Sequence, residues 1–240
     1  MLSRYLCPAA LALIALLAGS VRAPAEDDAR TPCTEDAMIV FDASGSMAGN
    51  TVQGLFSDIT RIDEVRKALA QVLPGVAKHR KIGLITYGPG PYEQCNVTLD
   101  FRPMPNAAQQ IMSVVNTINP AGKTPLVAGV MQAAEVLDYR SEQGVVVLLT
   151  DGEETCGGAP CELGKLLRAQ SRRLTVHVIG YQLRAFRWTG AQSFLDAKCL
   201  AEETGGLYIT AENRQDLIEA FEKTLGCPMM SDLSPAARLP

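Results

Sequence analysis

Ala37-Met38-Ile39-Val40-Phe41-Asp42-Ala43-Ser44-Gly45-Ser46 is the stretch that decides how this chain folds. Its first half is a short apolar run, the pattern of a buried strand. Asp42, Ser44 and Ser46 then fall where the strand ends and a glycine-bearing loop begins. One carboxylate and two hydroxyls on alternate residues form a set of hard oxygen donors. Such a set suits Mg2+, with Mn2+ or Ca2+ as alternatives, rather than zinc. Two further candidate ligands, Thr124 and Asp151, lie far downstream, each at the edge of its own loop.

Working outward, apolar runs alternate with amphipathic stretches. Residues 82–87, 97–101, 145–150, 174–180 and 207–210 read as further strands, and the aliphatic run Val145 to Leu149 is the strongest of them. Near-continuous aliphatic strands imply a mainly parallel sheet covered on both faces. Helical spacing links Ile62, Val65, Leu69, Val72 and Leu73, with Thr60 as the cap. Asn106 is expected to cap a helix through Ile111, Val114 and Val115. Leu126, Val130, Ala133, Ala134 and Leu137 mark the next helix, and Leu163, Leu166 and Leu167 another. Phe194, Leu195 and Ala201 lead into Thr204-Gly205-Gly206, a helix stop. Asn213 caps a last helix carrying Leu217, Ile218, Phe221 and Leu225. The expected fold class is α/β: a doubly wound, mainly parallel central sheet flanked by helices, over residues 35–227.

The flanks speak about compartment. Arg4 gives a positive start, Tyr5 to Gly19 is apolar and uncharged, and Ala23-Pro24-Ala25 fits a cleavage site. Residues 1–25 are therefore expected to be a secretory signal peptide, with Val21-Arg22-Ala23 as the other cleavage site. The apolar run is short for a membrane span of roughly 20 residues, so no integral membrane segment is expected after cleavage. Leu16-Leu17-Ala18-Gly19 resembles the start of a lipoprotein signal, but Ser20 stands where a lipidated cysteine would be needed. Residues 26–34 read as a polar leader and 228–240 as a short tail. The expected location is the periplasm or the exterior. Without the signal's Cys7, six cysteines remain: Cys33, Cys95, Cys156, Cys161, Cys199 and Cys227. An even number in an oxidising compartment implies disulfides. Cys33 precedes the first strand and Cys227 ends the last helix, so these two are expected to pair, for roughly 4–5 kcal/mol in the chain-entropy model. Cys156–Cys161 is the easiest local pair and Cys95–Cys199 remains by subtraction, although four cysteines allow three pairings. Beyond the signal the chain carries a net charge of −6, with no basic patch, which argues against nucleic acid as a partner.

In doubly wound sheets, ligands bind beyond the carboxyl ends of the strands. Asp42 ends the first strand, Asp151 ends the Val145–Thr150 strand, and Thr124 lies in Gly122-Lys123-Thr124-Pro125-Leu126 just before a helix. Taken singly these are ordinary features: a Gly/Ser turn, a helix cap and an Asp-Gly turn. Together they place five oxygen donors on one edge of a sheet. The set D-x-S-x-S, a threonine in G-x-T-P-L and a strand ending T-D-G resembles the von Willebrand factor type A (VWA) domain, over roughly Asp36 to Leu225. Asp151-Gly152-Glu153-Glu154-Thr155-Cys156 and Thr204-Gly205-Gly206-Leu207-Tyr208 look most like bacterial exported members. The resemblance implies a metal ion-dependent adhesion site (MIDAS). Ser44 and Ser46 would be direct ligands, Asp42 and Asp151 would act through water, and Thr124 would be the adjustable ligand. It also implies a protein partner that supplies an Asp or Glu carboxylate to the ion, and no catalytic residues.

Competing readings are weaker. Gly122-Lys123-Thr124 lacks the glycine that a phosphate loop needs at position 117, and Pro125 removes an amide, so no nucleotide is expected. A metal-dependent hydrolase would need a base beside the ion, for which only Glu153 or Glu154 is near; both read more simply as a solvated loop face. A scaffold in which the cation only stabilises the fold is the third reading. His177 reads as a hydrogen-bonded core residue. Trp188 reads as a loop anchor or a partner-contact aromatic.

Overall fold

A computed structural model describes residues 33, 35–51, 58–90, 94–183 and 190–227. The expected signal peptide, the leader apart from Cys33, Trp188 and the tail lie outside the described residues.

Six strands form one sheet in the order β3-β2-β1-β4-β5-β6. They are β1 (Asp36–Asp42), β2 (Ile82–Gly88), β3 (Asn96–Met104), β4 (Gln143–Thr150), β5 (Arg173–Tyr181) and β6 (Tyr208–Ala211). All neighbours are parallel except β2 and β3, which run antiparallel. The helices are α1 (Arg61–Val76), α2 (Ala108–Val115), α3 (Leu126–Val136), α4 (Pro160–Gln170), α5 (Gly190–Glu203) and α6 (Arg214–Leu225). The expected fold class is the observed one.

The core shows why the central strands are unbroken apolar runs. Successive side chains of a strand point to opposite faces. Ala37, Ile39 and Phe41 of β1 pack with α1, α2 and α6 on one side of the sheet. Met38 and Val40 pack with α3, α4 and α5 on the other. Both faces are dry, so both sets must be apolar. Antiparallel β3 is an edge strand whose residues are half-buried or exposed, so its run mixes polar with apolar side chains.

Local signals set several helix ends. Thr60 accepts from the Asp63 backbone while the Asp63 carboxylate accepts from the Thr60 backbone, a capping box at the start of α1. Asn213 caps α6 as expected. Asn106 does not cap α2: it sits in a turn at φ 54°, and Ala107 starts the helix without a side-chain cap. Asparagine tolerates the left-handed region, and here that property rather than its oxygen is used. Gly205, at φ 71°, ends α5 within the expected Thr204-Gly205-Gly206 stop.

The disulfides agree with the expectation once and depart from it twice. Cys33–Cys227 is present. The other four cysteines pair as Cys95–Cys156 and Cys161–Cys199, not as Cys156–Cys161 and Cys95–Cys199. The reason is topological. The β2–β3 connection carries Cys95 onto the loop after Asp151, and the packing of α4 on α5 brings Cys161 beside Cys199. Among the described residues no helix is long and apolar enough to cross a membrane.

Candidate metal centre

Parallel register builds the centre. Phe41 of β1 lies opposite Leu149 of β4, so Asp42 and Asp151 leave the same edge on adjacent strands. Asp42 is fully buried. Its Oδ1 accepts from the Ser44 backbone N–H at 2.8 Å, and its Oδ2 accepts from the Thr150 hydroxyl at 2.8 Å. These bonds turn the chain sharply after β1. A short 3-10 helix (Gly45–Ala48) follows, and its Met47 is buried in the core beneath it, which anchors the loop from below.

The oxygen donors lie next to one another at this edge of the sheet. The Ser44 and Ser46 hydroxyls are 2.9 Å apart, and Ser46 Oγ donates to Asp151 Oδ1 at 2.6 Å. Thr124 is buried, and Gly152 lies close to both its hydroxyl and that of Ser46. A Cβ placed on Gly152 would lie 3.7 Å from Ser46 Oγ and 3.8 Å from Thr124 Oγ1. The missing side chain at 152 therefore keeps the space between three loops open. All five residues singled out from the sequence converge, with only Ser46 of the five exposed to solvent.

Backbone contacts lock the loops together. Gly45 N–H donates to Gly122 O at 3.1 Å, and Ala121 N–H donates to Ala43 O at 3.0 Å. Gly122 (φ 76°) and Gly88 (φ 112°) adopt conformations open to glycine, and a Cβ on Gly122 would strike the Gly88 carbonyl. Thr124 is no helix cap, since α3 begins after Pro125 with no side-chain cap. Its backbone is instead held by Thr155: Thr124 N–H donates to Thr155 Oγ1 at 2.8 Å, and Thr155 N–H donates to Thr124 O at 3.1 Å.

Two residues gain roles that periodicity and motif did not reveal. Glu153 is exposed, as a loop face should be, but Glu154 is not simply solvated. Its carboxylate accepts from Val127 N–H at 2.8 Å and from Cys156 N–H at 2.7 Å, so it serves an orphan amide at the start of α3. Arg61, the first residue of α1, donates to Asp151 Oδ2 at 2.7 Å. An arginine at the head of a helix carries no sequence signal of its own; only its distance to Asp151 reveals it. His177 lies away from this edge, partly buried, with Nδ1 accepting from Leu207 N–H at 3.0 Å.

The electrostatics fit a cation. Burial pushes the Asp42 carboxyl up to about 6, and the neighbouring Asp151 adds to this, against the hydrogen bonds from Ser44 and Thr150. A buried carboxylate beside another negative group carries its charge at a cost. A hard divalent ion would relieve that, and hydroxyl and carboxylate oxygens are its preferred donors. Among the described residues no three His, Cys, Asp or Glu side chains cluster to hold a metal, so ligation here would depend on the three hydroxyls.

Comparison with known proteins bears on the fold. Residues 37–154 match the von Willebrand factor type A domain. The chain is 28% identical over 206 residues to the uncharacterized protein YwmC of Bacillus subtilis (strain 168), covering 82% of this chain and 84% of that protein. The pilus adhesin SpaC of Lactobacillus rhamnosus GG has the same fold, at TM-score 0.60 and 15% identity, over 82% of this chain. This chain spans only 30% of SpaC. Proximal thread matrix protein 1 of the mussel byssus, solved with a zinc-occupied MIDAS motif, superposes at TM-score 0.56 and 16% identity, over 81% of this chain and 48% of its own. At such identities the two structures speak for the fold alone. With the matched segment running from β1 through the Asp151 loop, and with the six-stranded sheet around it, this chain carries a von Willebrand factor type A domain.

Proposed function

We propose that this is an exported, non-enzymatic binding protein that holds a divalent cation, Mg2+ foremost, at Asp42, Ser44, Ser46, Thr124 and Asp151 and uses it to bind a protein partner. The observation that carries the reading is the convergence of three hydroxyls and two carboxylates from three loops at one edge of the sheet, with Ser46 exposed to solvent. When bound, the cation supplies an open coordination position that attracts a partner's Asp or Glu carboxylate. The residues do the rest. Ser44 and Ser46 present neutral oxygens, which leave the ion's charge largely uncompensated. Asp42 is fixed by Ser44 and Thr150 and supplies negative charge from beneath. Thr124 places its hydroxyl beside Gly152, as Ser46 does, from a backbone held by Thr155. Three disulfides support an oxidising, exported setting.

The test is affinity capture from envelope or surface extract with Mg2+ against a chelator, with Ser44→Ala as the control. Capture that requires Mg2+ and Ser44 supports the reading. Capture unchanged by both treatments rejects it. A cation that raised the melting temperature without affecting capture would favour the purely structural role instead.

A further inference from the structure

Asp151 divides its two carboxylate oxygens between different partners. Oδ1 accepts from Ser46 within the centre; Oδ2 accepts from the Arg61 guanidinium at 2.7 Å. The Asp151 side chain is wholly buried and that of Arg61 is 21% exposed. Arg61 is held where it is by several independent contacts. It opens α1 directly behind the Thr60–Asp63 capping box. Its backbone N–H donates to Gly49 O at 2.9 Å, and its Nη1 also reaches Ser46 O at 3.3 Å. Its Nε is buried with no hydrogen-bond partner. A guanidinium usually spreads its five donors among acceptors; this one leaves a donor unused and keeps its charge on Asp151.

We propose that Arg61 is a built-in counter-charge that lowers the centre's affinity for the bare cation and so ties ion retention to a partner's carboxylate. This rests on the metal-binding reading above. The physical argument is charge balance. Asp42 and Asp151 together would supply two negative charges to a divalent ion. Arg61 cancels one of them from the outer side of Asp151. The ion is then held by a net single negative charge and neutral hydroxyls, and it keeps more of its own charge for an incoming anion. An external carboxylate restores what Arg61 removes. By linkage, the factor by which the carboxylate tightens ion binding is the factor by which the ion tightens carboxylate binding.

The proposal gives opposite signs for two measurements on Arg61→Gln. In chelator, the variant leaves Asp151 buried without its cation and should melt below the parent. In Mn2+ titrations followed by electron paramagnetic resonance, it should bind at least about tenfold more tightly, the effect of one unit charge removed from beside a divalent ion even at water-like screening. Acetate, as the carboxylate probe, should enhance Mn2+ binding more in the parent than in the variant. Arg61→Lys keeps the charge and should stay within about threefold of the parent. If Arg61→Gln does not fold, Arg61→Met keeps the apolar stem and is read in the same way. Equal or weaker Mn2+ binding by a folded, charge-free variant overturns the proposal and leaves the metal centre standing. Absence of Mn2+ binding in the parent and in every variant overturns both.

Discussion

Replacing Cys95 and Cys156 together by serine separates two effects that a disulfide usually mixes. The bridge spans a sequence separation of 61 residues, and Cys161–Cys199 spans 38. The chain-entropy model gives about 4 kcal/mol for either loop. In a domain of this size each kcal/mol moves the melting temperature by about 2–4 °C, so either double variant should melt about 8–16 °C below the parent. Their effects at the centre should differ. Gln94, next to Cys95, accepts from Lys123 N–H at 2.6 Å, and Thr155, next to Cys156, holds the Thr124 backbone from both sides. Opening this bridge loosens both supports of Thr124. Ordering one residue's backbone costs about 1–2 kcal/mol, so ion binding should weaken about tenfold. Opening Cys161–Cys199, between α4 and α5, should leave ion binding unchanged. The assay is a thermal melt of each variant, with Mn2+ titration well below its melting temperature. Parental Mn2+ affinity in folded Cys95→Ser/Cys156→Ser, or equal loss in both pairs, would refute the claim that this bridge positions Thr124.

Glycine substitutions should act with opposite signs. Gly122→Ala meets the Gly88 carbonyl at a positive φ and should cost about 3 kcal/mol in urea unfolding. Gly75→Ala, in α1 with open space around the new methyl, should stabilise by about 0.5–1 kcal/mol. Glu154→Ala removes the acceptor for two amides and should destabilise by about 1–2 kcal/mol, seen as a lower urea midpoint and faster hydrogen exchange at Val127. His177 supplies the pH dependence. Burial, and then the charge of Arg80, hold its pKa near 4, against 6.5 when unfolded. The unfolded chain thus binds a proton that the folded chain refuses. The contribution is full above about pH 6.5 and is lost as pH falls toward 4. It should amount to about 2 kcal/mol after allowance for partial exposure. Melting temperatures of His177→Gln should be flatter over that window; an unchanged slope would assign the acid sensitivity to other groups.

Three features were legible because they are written in local spacing. The aliphatic runs announce strands buried on both faces, Thr60 and Asn213 announce helix starts, and the strand-end positions of Asp42 and Asp151 announce a ligand edge. The candidate centre was legible only from the joint occurrence of three motifs at strand ends, in the order that resembles the VWA pattern, since each motif alone is an ordinary turn or cap. Asn106 shows the limit of such reasoning: a residue that can both cap a helix and enter a left-handed turn carries two local meanings, and the neighbouring packing chooses.

The strands, the two-sided core and the five candidate donors could be read from the chain alone, since period and turn chemistry are properties of neighbouring residues. Only the tertiary structure decided the pairing of Cys95 with Cys156 and of Cys161 with Cys199, the use of Glu154 as a cap, and the ion pair of Arg61 with Asp151. Each of these joins segments far apart in the chain. Which loops meet depends on how helices and edge strands pack across the sheet, and no local pattern encodes that.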